Sequence, residues 1–166
     1  MRNLIAFPLL VLVVIFQSSI VSQIKLLNGY ADLMLIVLAA WALQERVKSS
    51  WHWTLLACIL LGFVSKMPWP VQVVGYLAVV FTAQVMQRRV WQAPLLAMFS
   101  VTLIGTIFMH LLSFAVLSLS GTTFSFSAVT GSITLPSLLL NIFFSIPIYA
   151  LMRDLARWVY PSEVYE

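Results

Sequence analysis

Residues 94–119 read PLLAMFSVTLIGTIFMHLLSFAVLSL. The stretch holds no Asp, Glu, Lys or Arg, and His110 is its one ionisable side chain. It exceeds the roughly 20 residues with which a helix crosses a hydrocarbon core about 30 Å thick. A backbone in lipid must satisfy its own hydrogen bonds, so this run reads as a membrane-spanning helix. Similar apolar runs lie at about 4–22, 30–44, 52–66, 71–87 and 134–152, separated by short polar or proline-containing breaks. The runs at 30–44 and 52–66 are short. They either cross with little tilt, thin the bilayer or form a re-entrant hairpin, and a count of six spans depends on them.

Composition agrees with this patterning. The chain has 166 residues, of which 62% are hydrophobic and 8% charged, against roughly a quarter charged in soluble domains. The expected fold is an all-α integral membrane protein, a compact bundle of about six transmembrane helices forming one domain over residues 1–166, with no length left for a soluble domain. The first 22 residues imitate a signal peptide, with Arg2, an apolar run from Leu4 to Phe16 and small residues at Ser18 and Ser19. They lack an Ala-x-Ala cleavage pattern and read as an uncleaved first span.

Charge supplies a check independent of hydropathy. With the N-terminus inside, Arg2, Arg46, Lys48, Arg88, Arg89, Arg153 and Arg157 face the cytoplasm, while Lys25 and Lys66 lie outside. That asymmetry obeys the positive-inside rule and places both termini inside. The acids Asp32, Glu45, Asp154, Glu163 and Glu166 fall near span ends, away from the costly membrane centre. Trp41, Trp51, Trp53, Trp69, Trp91, Trp158 and Tyr160 also lie near span ends, where aromatic rings suit the headgroup level. The uncharged segment Ser120–Thr134 faces outside on this count. Its alternation from Thr123 to Ser127 favours an extended conformation: a flexible connection, or a lid or docking strand built on Phe124, Phe126 and Val129.

Reactive groups are sparse. No acid pair has a spacing suited to joint work on one substrate, and neither His52 nor His110 has a carboxylate or cysteine at metal-ligand spacing. The six glycines are dispersed, so no phosphate-cradling loop exists. Single Cys58 excludes an intrachain disulfide, and the scattered basic residues lack the stripe that nucleic-acid binding needs. The expectation is a protein without catalysis, metal, cofactor or nucleic-acid partner.

The candidate functional positions are therefore helix-packing or partner-interface residues. His110 follows Thr102 and Thr106 on one face; as an intramembrane ionisable group it is either a proton or ligand site or a neutral bond to a neighbouring helix, with no second ionisable residue evident as a relay. Ser137, Asn141 and Ser145 recur at steps of four, continued toward Tyr149 and Arg153, and Pro147 should kink that helix. Cys58, Gly62 and Ser65, and Gly75, Ala78 and Thr82, read as close-contact faces. Asp32 follows the turn signal Asn28-Gly29 and suits the cap of the next helix, which alone accounts for it.

Phe16-Gln17-Ser18-Ser19, then Leu27-Asn28-Gly29-Tyr30-Ala31-Asp32-Leu33-Met34-Leu35, resemble the first-span exit and second-span entry of the bacterial rod shape-determining MreD family. Leu61-Gly62-Phe63, Val74-Gly75-Tyr76, Pro136 through Asn141, Pro147-Ile148-Tyr149 and Arg153-Asp154-Leu155 extend the resemblance over nearly the whole chain. Ala31 stands where the family usually has proline, and Ser65-Lys66-Met67-Pro68 replaces a common Gly-Leu and following Asp. The resemblance implies a non-catalytic scaffold in the bacterial cytoplasmic (inner) membrane. It would contact MreC and membrane lipid and work with MreB, RodA and the elongation penicillin-binding protein in lateral peptidoglycan synthesis. The family is also similar in architecture to the substrate-binding components of energy-coupling-factor transporters, which leaves a small-molecule-binding subunit of a vitamin-type transporter as the alternative. Those components commonly carry an Ala-x-x-x-Ala face on the first helix, whereas this first span offers Ala6 followed by Val, Leu and Ile.

Overall fold

A computed structural model of the chain describes residues 5–47, 50–65, 67–89, 93–123 and 125–161. Arg2, Lys48, Lys66, Trp91, Phe124, Glu163, Glu166 and the side chain of Arg89, all used in the sequence reading, lie outside the described residues. Six helical stretches follow: α1 (Ala6–Ser19), α2 (Leu33–Ala42), α3 (Ser50–Val64), α4 (Trp69–Arg89), α5 (Pro94–Leu119) and α6 (Phe126–Val159). Between α1 and α2 the chain makes a small antiparallel hairpin, β1 (Lys25–Leu26) and β2 (Gly29–Tyr30), with Lys25 opposite Tyr30 and Leu26 opposite Gly29.

Among the described residues, four segments are long and apolar enough to cross a membrane: Ala6–Gln23, Trp69–Arg88, Pro94–Leu119 and Phe126–Val159. The protein is thus an all-α, multi-pass membrane protein. Pro94 opens α5 at its first turn, where the missing N–H is no loss and the fixed φ is already helical. α4 and α5 form the most extensive helix pair. Gly75 lies against Met109, and Gly105 has Val79 and Leu35 beside it, so α4, α5 and α2 approach closely where side chains are absent.

The centre of the fold is α2. Its ten residues, LMLIVLAAWA, are apolar all round, and every residue from Met34 to Ala42 is buried. A helix without a polar face is stable only when enclosed, and α2 packs against all five of the others. At 1.5 Å per residue it measures about 15 Å, half the hydrocarbon thickness. It is a short central plug surrounded by longer helices.

Two expectations are corrected. Trp41 and Trp53 do not turn their rings outward to lipid headgroups: each is 1% exposed, and their rings stack at 4.1 Å in the core. α2 is surrounded by protein, so a tryptophan near its end meets other helices instead of lipid headgroups; exposed Trp69 and Trp158 are available to a boundary. Nor does the extended stretch expected over Thr123–Ser127 continue past Ser125, which is itself extended: Phe126 and Ser127 are helical. Phe126–Val129 and a π-helical turn, Thr130–Thr134, continue directly into Leu135–Val159, because helical bonds satisfy the backbone locally where an isolated strand could not. Phe126 packs edge-on to Phe114 of α5 at 5.4 Å. α6 also runs helically through Pro147, which is exposed.

Candidate polar junction and cavity

Sequence order places Asp32 at the start of α2, and its side chain accepts from the Leu35 N–H at 3.0 Å as an N-cap should. The cap is only part of its role. The Tyr76 hydroxyl, on α4, donates to the same carboxylate at 3.0 Å from Oδ2 and 3.3 Å from Oδ1. The Asp32 backbone N–H donates to Asn141 Oδ1 on α6 at 2.7 Å, and Asn141 Nδ2 donates to Thr106 Oγ1 on α5 at 2.8 Å. Thr106 in turn donates to the Thr102 carbonyl at 2.7 Å. From α1, Gln17 bridges the same turn, donating to the Ala31 carbonyl at 2.8 Å and accepting the Leu33 N–H at 2.7 Å.

A helix that begins inside a bundle exposes its first N–H groups to an apolar environment, where an unmade bond costs about 1–3 kcal/mol. Gln17, Asp32 and Asn141 each satisfy one of these donors or their immediate neighbours. The hairpin is fastened beside them: Tyr30 N–H donates to Ser137 Oγ at 3.1 Å and Asn28 N–H to the Ser132 carbonyl at 3.0 Å. Gly29 makes this approach possible. A Cβ there would lie 2.6 Å from Ser137 N and 2.7 Å from the Ile133 carbonyl oxygen, both backbone atoms of α6.

Of the positions singled out in the sequence, Asp32, Thr106, Ser137 and Asn141 therefore meet in one network, with Thr102 supplying a carbonyl. Ser145 is buried on the same α6 face but bonds its own helix, donating to the Ile142 carbonyl. Gly75 and Gly62 are packing positions, against Met109 and Trp69 respectively. Sequence reasoning missed the roles of Gln17, Gly29, Gln72 and Tyr76 here. A lone amide in an apolar run was the available signal for Gln17 and Gln72.

Above the start of α2 lies a partly open cavity of about 440 Å³, lined by residues of α1, the hairpin, α2, α3, α4 and α5, among them Asp32, Gln72, Tyr76 and His110. His110 faces Thr134 Oγ1 through Nδ1 at 3.0 Å, an interhelical bond from α5 to α6. Asp32 and Tyr76 line the same cavity as His110, brought there by a fold that sequence spacing does not reveal.

No protein-family model, curated protein or solved structure matches the chain.

At the opposite end, Arg46, Arg153 and Arg157 gather with Glu45 around a second cavity of about 250 Å³. Arg46 donates to the Tyr160 carbonyl at 3.0 Å, and Arg153 pairs with Asp154 at 3.2 Å. Lys25 sits in the hairpin, at the other end of the bundle.

Proposed function

We propose that the protein is a non-catalytic scaffold subunit of the bacterial cell-elongation machinery, of the MreD kind, in the cytoplasmic membrane. It has six membrane segments, α2 being the enclosed one, both termini inside, and MreC as direct partner. One observation carries this reading: Gln17, Asp32, Tyr76 and Asn141, which come from the scattered segments that resemble the family, meet around a single helix start.

The orientation draws support from Arg46, Arg153 and Arg157 gathering at one end while Lys25 lies at the other. The mechanism is side-chain complementarity: a bundle held rigid at its centre presents its lipid-facing helices to the span of a partner, and through it helps to organise MreB, RodA and the elongation penicillin-binding protein in lateral peptidoglycan synthesis. Affinity purification in mild detergent from cells producing MreC tests it. Stoichiometric MreC is the expected result, and a purified protein that never retains MreC while remaining folded overturns the reading.

The vitamin-type transporter subunit stands as a second reading because the cavity beside Asp32 has the size of a small-molecule site. A tightly held vitamin in place of MreC would favour it.

A further inference from the structure

We propose that the cavity at the head of α2 binds a small ligand bearing a primary ammonium group, with Asp32, Gln72 and Tyr76 as its recognition residues. The volume, about 440 Å³, falls within the roughly 300–1,000 Å³ of small-molecule sites. It exists because α2 is too short to fill the bundle along its length.

The hydrogen-bond inventory of the wall sets the ligand chemistry. Asp32 is partly buried and lines the cavity, and its two oxygens receive one backbone N–H and one hydroxyl proton, leaving acceptor sites of the roughly four that a carboxylate has. Gln72 is 4% exposed, and its Oε1 has no hydrogen-bond partner among the described residues. A buried carbonyl left so is costly, and a turn of the Gln72 amide toward the cavity would bring it a ligand donor. Tyr76 has spent its proton on Asp32, so its oxygen can only accept from a ligand, and Gln17 has both amide ends engaged. Among the described lining residues Asp32 is the one carboxylate and there is no Lys or Arg, while the other hydroxyls and amides can turn to donate or accept; an ammonium, with three donors and a positive charge, complements that wall.

This inference stands apart from the scaffold reading, since a ligand here could brace a scaffold or be the cargo of a transporter; MreC retention and amine binding are separate readouts. Two sources share the chemistry, a water-soluble amine and the headgroup of phosphatidylethanolamine. The test uses full-length protein in detergent with phenethylamine, its neutral counterpart 2-phenylethanol, and phosphatidylethanolamine or phosphatidylglycerol, read by thermal shift and native mass spectrometry. Asp32→Asn keeps the cap, because asparagine caps as well as aspartate, and Gln72→Leu leaves Asp32 untouched. Lys66, between two lining residues and outside the described ones, is tested as Lys66→Gln.

The proposal expects binding of phenethylamine or retention of phosphatidylethanolamine by the wild type and by Lys66→Gln, weakened about ten-fold or more in Asp32→Asn and in Gln72→Leu. Response to the amine identifies a soluble ligand, and retention of the ethanolamine lipid alone identifies the headgroup. Absence of both, an equal response to 2-phenylethanol and phosphatidylglycerol, undiminished binding in both cavity variants, or binding confined to Lys66→Gln would each overturn it, the last because the chain's own lysine would then be the occupant.

Discussion

The N–H of Asp32 and Oδ1 of Asn141 lie 2.7 Å apart, joining the first turn of the shortest helix to the middle of the longest across more than a hundred residues of chain. The other end of the Asn141 amide rests on Thr106, so three segments share one amide.

Replacing Asn141 with Leu strands the Asp32 N–H and leaves Thr106 Oγ1 without its α6 donor. Each unmade buried bond costs about 1–3 kcal/mol, so the variant should unfold well below the wild type in detergent. Ser145→Ala, which breaks only a bond within its own helix, should shift the midpoint far less. Equal midpoints for Asn141→Leu and wild type in a thermal size-exclusion assay would contradict the network.

Gly29→Ala places a methyl against α6 backbone that no side-chain rotation can clear, and should destabilise by about 1–3 kcal/mol. Gly131→Ala meets nothing within 4 Å and sits in helix, so it should change stability by less than about 1 kcal/mol. The two midpoints measured side by side check the ordering.

Gly75→Leu drives α4 against Met109. On the scaffold reading it should reduce co-purified MreC and the fraction of rod-shaped cells, and Met109→Ala in the same chain should restore part of both. Glu45→Gln, at an exposed position, should leave them unchanged. An inactive but fully assembled Glu45→Gln would argue instead for chemistry at that carboxylate.

The His110–Thr134 bond is interhelical, and such bonds contribute about 0.6 kcal/mol on average in double-mutant cycles. A cycle of His110→Ala and Thr134→Ala should give a coupling near that value, with the single variants folded and inserted. Loss of function in His110→Ala at normal protein and MreC levels would instead assign His110 a ligand or proton role.

Single cysteines at positions 126 and 157 in a Cys58→Ala background test the orientation. An impermeant thiol reagent added to spheroplasts should modify 126 and spare 157 until the membrane is opened. Cys58 is buried and shielded from the reagent, and alanine in its place removes a single sulfur atom.

Apolar run length carried most of the fold. The expected 94–119 run is α5 to the residue, and 71–87 lies within α4. Hydropathy alone could not tell that 30–44 contracts to Leu33–Ala42, since a helix buried in protein and one facing lipid have the same apolar composition. For the same reason Trp41 and Trp53 looked like boundary residues. The site was half legible: the step of four brought out Ser137 and Asn141, and capping brought out Asp32. Their convergence depends on which helix lies beside which, set by Gly29, Gly75 and Gly105 at close approaches spread over the chain. Phe126 and Ser127 misled because alternation over five residues is weaker than the demand of an apolar surrounding for local hydrogen bonds.

The partners of Asn28, Tyr30 and Asp32 are Ser132, Ser137 and Asn141, which leave the ribosome last among the helices that close the centre. Synthesis proceeds from the N-terminus, at about 5–20 residues per second, so α2 emerges several seconds before the groups that anchor its start. During that interval a ten-residue apolar helix, too short to hold a place across the bilayer alone, must wait against α1 and α3. A nascent chain arrested before residue 132 would thus be inserted but unlocked, and a prime target for quality-control proteolysis.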